Sequence, residues 1–398
     1  MFRISNMMKV VVHGKGPRAR KPRGPVVIWN LLRRCNLACR HCYTNSADQS
    51  YPGELVDHEV LGVLKELKSI GTPVVILSGG EPLLHPSVFE FAAFGRDLGL
   101  GMALSTNGTR ITTKNIDQIK AAGFRYVGIS LDAIGDKYDV FRGKKGAYEQ
   151  ALRGIRLCVD AGVKVGIRFT PTEYNAGEIP AILDLADREG IQRVFCSHLN
   201  FGGRGGKNRR MNAHFRQTRE ILEVLFERAL QAEQQGRHVE YVTGNNDADG
   251  VFFLDWVGRR FPERRAAVLE KLLEWGGNSS GVNVANIDPQ GFVHPDTFWD
   301  HYALGNVKEQ TFTEIWYGPD PVLERLRSHP RQLSGRCGRC RHLAVCNGNA
   351  RARAFKETGN LWASDPGCYL SERETTGEEV THEEESSPVG TFIETVGV

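Results

Sequence analysis

Short apolar runs and longer periodic stretches alternate along much of this chain. Val26–Asn30 is a short apolar run and Pro73–Leu77 a β-branched one. Gly101–Ser105, Tyr126–Ser130, Val163–Phe169 and Arg193–Ser197 follow as further strand signals. Between them, apolar residues recur at helical spacing in Val60–Lys68, Phe89–Leu98, Ile116–Ala122, Ala147–Ala161 and Ile179–Arg188, with Asp57 placed to cap the first. Six such β/α units predict an α/β fold with a parallel sheet or barrel over residues 25–204. Gly202–Gly206 then breaks the pattern as a flexible, glycine-rich stretch. Residues 205–281 read as a helical linker, with helices at Thr218–Gln234 and Ala266–Trp275 around the polar segment Gly244–Gly250. Strand-like alternation returns over Val282–Val293, and the chain is loop-rich from Cys337 onward.

Composition narrows the class. A chain of 398 residues has room for two ordinary domains. Apolar content of 40% and charged content of 25% are those of a soluble globular protein. No apolar run is long enough to span a bilayer. Residues 1–24 carry a basic cluster from Lys15 to Arg23 but no apolar stretch of the signal-peptide kind. A cytoplasmic location is therefore expected, with no membrane partner. The net charge of +4 is unevenly spread. The basic leader would suit nucleic acid, but no nucleic-acid motif accompanies it, so it reads as a solvated arm and no nucleic-acid partner is expected. Residues 371–398 are acidic and poor in apolar side chains, and are expected to be disordered.

Nine cysteines in a reducing compartment point to metal rather than disulfides. Cys35, Cys39 and Cys42 form a C-x3-C-x2-C loop directly after the first strand. Cys337, Cys340, Cys346 and Cys368 form a second group of four. Spacing alone leaves zinc open at both. Further motifs fall after successive strands, where a barrel gathers its active-site loops. They are Ser78-Gly79-Gly80-Glu81-Pro82, Ser105-Thr106-Asn107-Gly108, Ser130-Leu131-Asp132 and Val165-Gly166-Ile167-Arg168. Glycines at Gly79 and Gly80 would let backbone approach a ligand closely, and Glu81 can accept from an ammonium.

The cysteine loop and the motifs in barrel order resemble the radical S-adenosylmethionine (SAM) superfamily. That resemblance implies a partial (β/α)6 TIM-like barrel and a [4Fe–4S] cluster on Cys35, Cys39 and Cys42, with one iron left open for SAM. It nominates Gly79, Gly80 and Glu81 for the methionine ammonium, Ser105, Asn107 and Ser130 for ribose and carboxylate, and Gly166 with Ile167 beside the adenine. Arg142, in Asp139-Val-Phe-Arg142-Gly143, is placed to pair with the SAM carboxylate. His41 stands where the superfamily usually has an aromatic residue, and still offers a flat ring. The chemistry implied is one-electron cleavage of SAM to a 5′-deoxyadenosyl radical, which takes hydrogen from an unactivated carbon.

Residues 282–370 resemble a cysteine-rich SPASM domain, which normally carries two auxiliary clusters. Here one core cysteine is replaced by Ala350, and an upstream ligand position holds Asp296. Both belong to the same auxiliary cluster, so one auxiliary [4Fe–4S] cluster is expected, on Cys337, Cys340, Cys346 and Cys368. Two clusters and SAM are then the cofactors.

Whole segments resemble the radical SAM proteins of haem d1 biosynthesis: Gly24–Asn30, His41–Thr44, Tyr126–Gly128, Val242–Val251, Gly281–Asp288 and Cys346–Asn349. The likeness runs from Met1 to about Leu370. It implies an iron tetrapyrrole substrate, didecarboxysirohaem, whose propionates are converted toward the oxo groups of haem d1. An electron donor such as flavodoxin or ferredoxin is also implied. Basic residues at and after the last strands (Arg168, His198, Arg204, Lys207, Arg209 and Arg210) suit carboxylate arms. His198 and His294 are candidates to approach the substrate iron, with a structural role as the alternative for each. Two rival activities remain: a decarboxylase of the alternative haem pathway, and a SPASM enzyme modifying a peptide. The short stretch before Val26 leaves little room for a peptide-binding domain, which weighs against the second.

Overall fold

The computed structural model describes residues 1–17 and 23–377. The strand signals read above all fold as strands: β2 (Val26–Asn30), β3 (Val74–Ser78), β4 (Gly101–Thr106), β5 (Val127–Ser130), β6 (Val165–Phe169) and β7 (Arg193–Ser197). They follow β1 (Phe2–Arg3) and precede β8 (Glu240–Gly244), β9 (Val284–Ile287), β10 (Phe292–His294) and β11 (Gly305–Asn306). Among the described residues these make one sheet, ordered β1-β8-β7-β6-β5-β4-β3-β2-β9-β10-β11. From β8 to β9 every pairing is parallel; β1 and the β9–β10–β11 end are antiparallel. The sheet ends at β1 and β11 and does not close, which is the partial barrel expected.

Helices between strands bury one apolar face each. Val60, Val63, Leu64 and Leu67 do so in Asp57–Ser69. The strands are covered on both sides: Val75, Ile76 and Leu77 are all buried.

Four segments differ from the sequence reading. The stretch taken as a basic leader contributes β1, paired with β8, and a helix, Ile4–His13, that buries Ile4, Met7, Met8, Val10 and Val11. Residues 18–22 of its basic cluster lie outside the described residues. The segment taken as a helical linker supplies a seventh parallel strand, β8, and the buried helix Ala248–Arg260. The polar Gly244–Gly250 stretch is the turn joining the two. In the cysteine-rich segment, β9 pairs with β2 and so extends the barrel sheet directly.

The acidic tail also begins later than expected. Glu372–Thr376 is a helix closed by a capping box, with Ser371 Oγ accepting from the Glu374 amide and Glu374 Oε2 accepting from the Ser371 amide at 2.6 Å. Residues 378–398 lie outside the described residues. Glu374 also accepts two bonds from Arg219, at 3.0 and 2.6 Å. Burial opposes its charge, but Arg219 and Ser371 outweigh it and hold the carboxyl at about 2, below its ordinary 4.5. The contact therefore stabilises the fold above about pH 4.5 and is lost as pH falls toward 2. At neutral pH, Arg219→Ala is expected to reproduce that loss. Limited trypsin digestion, read at Arg373, should then cut the variant faster than the wild type.

Candidate active site

The loops after parallel strands β2 to β8 converge on one cavity, as open α/β sheets require. With its open mouth the cavity encloses about 2020 Å³.

Cys35, Cys39 and Cys42 line this cavity. Each sulfur meets a donor from another part of the chain or its own loop. Arg142 Nη1 donates to Cys39 Sγ at 3.4 Å, Asn107 Nδ2 to Cys35 Sγ at 3.9 Å, and Thr44 Oγ1 lies 3.3 Å from Cys42 Sγ. Burial pushes the Cys35 thiol up to about 12 and raises Cys39 as well. At Cys42 the Thr44 hydroxyl and backbone amides outweigh burial and lower it. Buried thiols of this kind become thiolates when a cationic metal group compensates them. The donors aimed at sulfur fit a thiolate-held cluster. Arg142 is itself paired with Asp132, both almost fully buried. His41 stacks on Phe141 with centroids 4.6 Å apart, and burial lowers its imidazole to about 4, so it presents a neutral flat ring.

Of the SAM-side residues, Gly79, Gly80, Ser105, Asn107, Ser130, Arg142, Gly166 and Ile167 line the cavity. Glu81 does not, which corrects its expected ammonium contact. It is fully buried, and its oxygens accept from Thr106 Oγ1 at 2.6 Å, the Asn107 amide at 2.8 Å and the Leu83 amide at 3.0 Å. Glu81 ties the β3 loop to the β4 loop. The glycines have a second reason besides ligand approach. A Cβ on Gly79 would collide with the Leu32 carbonyl, and one on Gly80 with the Arg34 carbonyl. Gly79 also has a φ of 140°, a region that favours glycine. The pair lets the β3 loop press against the cysteine loop.

The substrate-side residues divide. Arg168 and His198 line the cavity. The Arg168 guanidinium lies over the Phe195 ring at 4.9 Å and has no carboxylate partner among the described residues. Arg204 also borders the cavity and braces the cysteine loop: Nε donates to the Cys39 carbonyl at 2.8 Å and Nη1 to the Ser46 carbonyl at 2.7 Å, which leaves Nη2 without a partner among the described residues. His294 lies away from the cavity, with Nδ1 2.8 Å from the Tyr302 carbonyl and Nε2 3.6 Å from Asp288. It is a structural histidine and no candidate for the substrate iron. Lys207, Arg209 and Arg210 do not line the cavity either.

Sequence reasoning missed Tyr43, Asn245, Asp247 and the Asn278–Ser280 turn, all on the cavity wall. The signal for two of them was the unusual Gly244–Gly250 segment. Its side chains and backbone latch the barrel to the cysteine-rich domain. Asn246 Nδ2 donates to the Gly367 carbonyl at 2.8 Å, and the Asp247 amide to Asn349 Oδ1 at 2.7 Å. Asp296 and Ala350, which stand where cysteines were expected, face the same cavity.

Cys337, Cys340, Cys346 and Cys368 line a separate pocket. Burial pushes Cys368 up to about 11 and raises Cys340 and Cys346. Four cysteines lining one pocket fit the ligand set of one cubane cluster.

Comparison with known proteins places these features. Residues 29–186 match the radical SAM superfamily model, and residues 280–341 match SPASM, an iron-sulfur cluster-binding domain. The chain is 52% identical to the pre-heme d1 synthase of Dinoroseobacter shibae over 94% of both chains. It is 41% identical to the Fe-coproporphyrin III synthase of Methanosarcina barkeri, over 89% of this chain and 90% of that one. Streptococcus suis SuiB bound to S-adenosylmethionine shares the fold, with a TM-score of 0.68 at 17% identity over 87% of this chain and 78% of that one. SAM and two iron–sulfur clusters are accordingly its cofactors. The chain belongs to the radical SAM superfamily, in the SPASM-bearing family that includes the pre-heme d1 synthase of D. shibae.

Proposed function

We propose that this enzyme acts in haem d1 biosynthesis, converting propionate side chains of didecarboxysirohaem toward the oxo groups of haem d1. The observation that carries this reading is the 52% identity to a pre-heme d1 synthase along nearly the whole of both chains. When bound, the barrel cluster and SAM supply a 5′-deoxyadenosyl radical. Cys35, Cys39 and Cys42 hold that cluster, and Gly79, Gly80, Ser105, Asn107, Ser130, Arg142, Gly166 and Ile167 form the SAM side of the cavity. Arg142 both donates to Cys39 and keeps its loop in place through Asp132. Arg168, without a carboxylate partner among the described residues, receives a substrate propionate. The four C-terminal cysteines hold the auxiliary cluster, and an external one-electron donor such as flavodoxin or ferredoxin reduces the enzyme.

The test is to incubate reconstituted enzyme with SAM, a reductant and candidate tetrapyrroles, and to weigh the products. Loss or alteration of propionates on didecarboxysirohaem supports the reading. The likeness to Fe-coproporphyrin III synthase supports a second reading, removal of acetates or decarboxylation of propionates in the alternative haem pathway, which predicts a different mass change. Arg168→Glu is expected to weaken tetrapyrrole binding by about 3–5 kcal/mol if the contact is buried in the complex. A loss under about 1 kcal/mol would mean that the pair stays exposed and carries little.

A further inference from the structure

Resting on the tetrapyrrole reading, we propose that His198 is a second carboxylate-binding group of the cavity, with Asp249 and Tyr369 as its positioning residues. His198 follows β7, its amide donates to the Gly244 carbonyl at 3.0 Å, and its ring borders the cavity. Nε2 lies 2.9 Å from Asp249 Oδ2. The other oxygen of Asp249 accepts from the Tyr369 hydroxyl at 2.9 Å. The Tyr369 ring stacks beside the imidazole, with centroids 6.3 Å apart and planes 15° apart.

Asp249 is fully buried. A buried carboxylate persists only where donors and dipoles compensate it. Here it has His198, Tyr369 and a place in the first turn of Ala248–Arg260, where helix amides favour negative charge. Nε2 must therefore carry its proton. The other ring nitrogen, Nδ1, has no hydrogen-bond partner among the described residues. Nδ1 is thus the ring nitrogen left to meet a ligand, and as an N–H it would donate to an anionic arm while Nε2 stays on Asp249.

Two ligand chemistries could meet Nδ1, and its proton separates them. Nδ1 is bonded to Cγ, and once it carries a proton it has no lone pair to offer a substrate iron, so its N–H suits an anionic arm. Arg168 supports the same choice. It stands on β6 in register with Phe195 of β7, two positions before the end of the strand that His198 follows. Two groups suited to anions thus stand on neighbouring strands, matching a substrate that carries several carboxylates. Because Tyr369 directly follows Cys368, the loop holding an auxiliary-cluster thiol also orients this imidazole.

The test uses the cluster-loaded holoenzyme under anaerobic conditions and three probes: iron coproporphyrin III, metal-free coproporphyrin III, and the tetra-amide of the metal-free form. Binding is followed by visible absorbance. His198→Gln is expected to weaken both acid forms about tenfold and to leave the amide within about twofold. Asp249→Asn and Tyr369→Phe should shift the acid-to-amide preference in the same direction by less. They keep the test decisive if His198→Gln fails to load its clusters. Equal losses for acid and amide, no loss at all, or a loss confined to the iron-bearing probe would overturn the assignment. If the wild type binds neither these probes nor didecarboxysirohaem, the tetrapyrrole reading itself falls, a result distinct from any change in preference.

Discussion

Replacing Cys39 with alanine is expected to abolish 5′-deoxyadenosine formation by the reduced enzyme. Cys39 is buried against the cavity, and its sulfur receives the Arg142 guanidinium. Two remaining thiolates cannot hold a cubane cluster that already leaves one iron open. The second cysteine group lies in a pocket of its own, so its cluster should survive. Iron analysis checks both halves of the statement. The wild type should hold about eight irons and Cys39→Ala about four, at four per cubane. Removing Cys337, Cys340 and Cys346 together should also leave about four, but with the barrel cluster retained. A wild-type value near twelve would mean that a second auxiliary cluster persists despite Asp296 and Ala350. SAM cleavage surviving in Cys39→Ala would refute the assignment of that loop.

Asp132→Ala is expected to destabilise the protein by about 3–5 kcal/mol, because it strands the Arg142 cation in the interior. The two side chains are 1% and 7% exposed. Asp132 also accepts from the Thr170 amide at 2.7 Å, so the β5 and β6 loops loosen together. The damage should reach the cluster. The Arg142 carbonyl accepts from the Ala38 amide at 3.1 Å, and the neighbouring Phe141 carbonyl from Arg40. Barrel-cluster iron and SAM cleavage should therefore fall along with the urea midpoint. Removing both charges, as Asp132→Ala with Arg142→Met, should recover part of the stability but not the activity, since an apolar pair can replace a buried ion pair but cannot donate to Cys39. A stability loss under about 1 kcal/mol for Asp132→Ala would show that water reaches the pair and that it matters little to the fold.

The alternation of apolar runs with helical periods determined the parallel strands from β2 to β7, because a strand covered on both faces must be apolar along its length. Cysteine spacing likewise separated two thiol groups, since ligands of one cluster must sit close in the chain or on loops brought together. The helix Ile4–His13 was legible too: Ile4, Met7, Met8 and Val11 follow its period, but the basic cluster beyond it drew the reading toward a solvated arm. β8 was not legible. Glu240–Gly244 offers few apolar residues, and only the exposed edge of β7 and the return of β1 make it a strand. The same limit governs the site. Sequence names a glutamate, an arginine and two histidines without saying what they will meet. Packing decided that Glu81 would brace two loops, that Arg204 would hold backbone carbonyls, and that His294 would turn away from the cavity. Each of these groups can bond equally well to a ligand or to the chain itself, and the choice rests on which partner the folded backbone brings within about 3 Å.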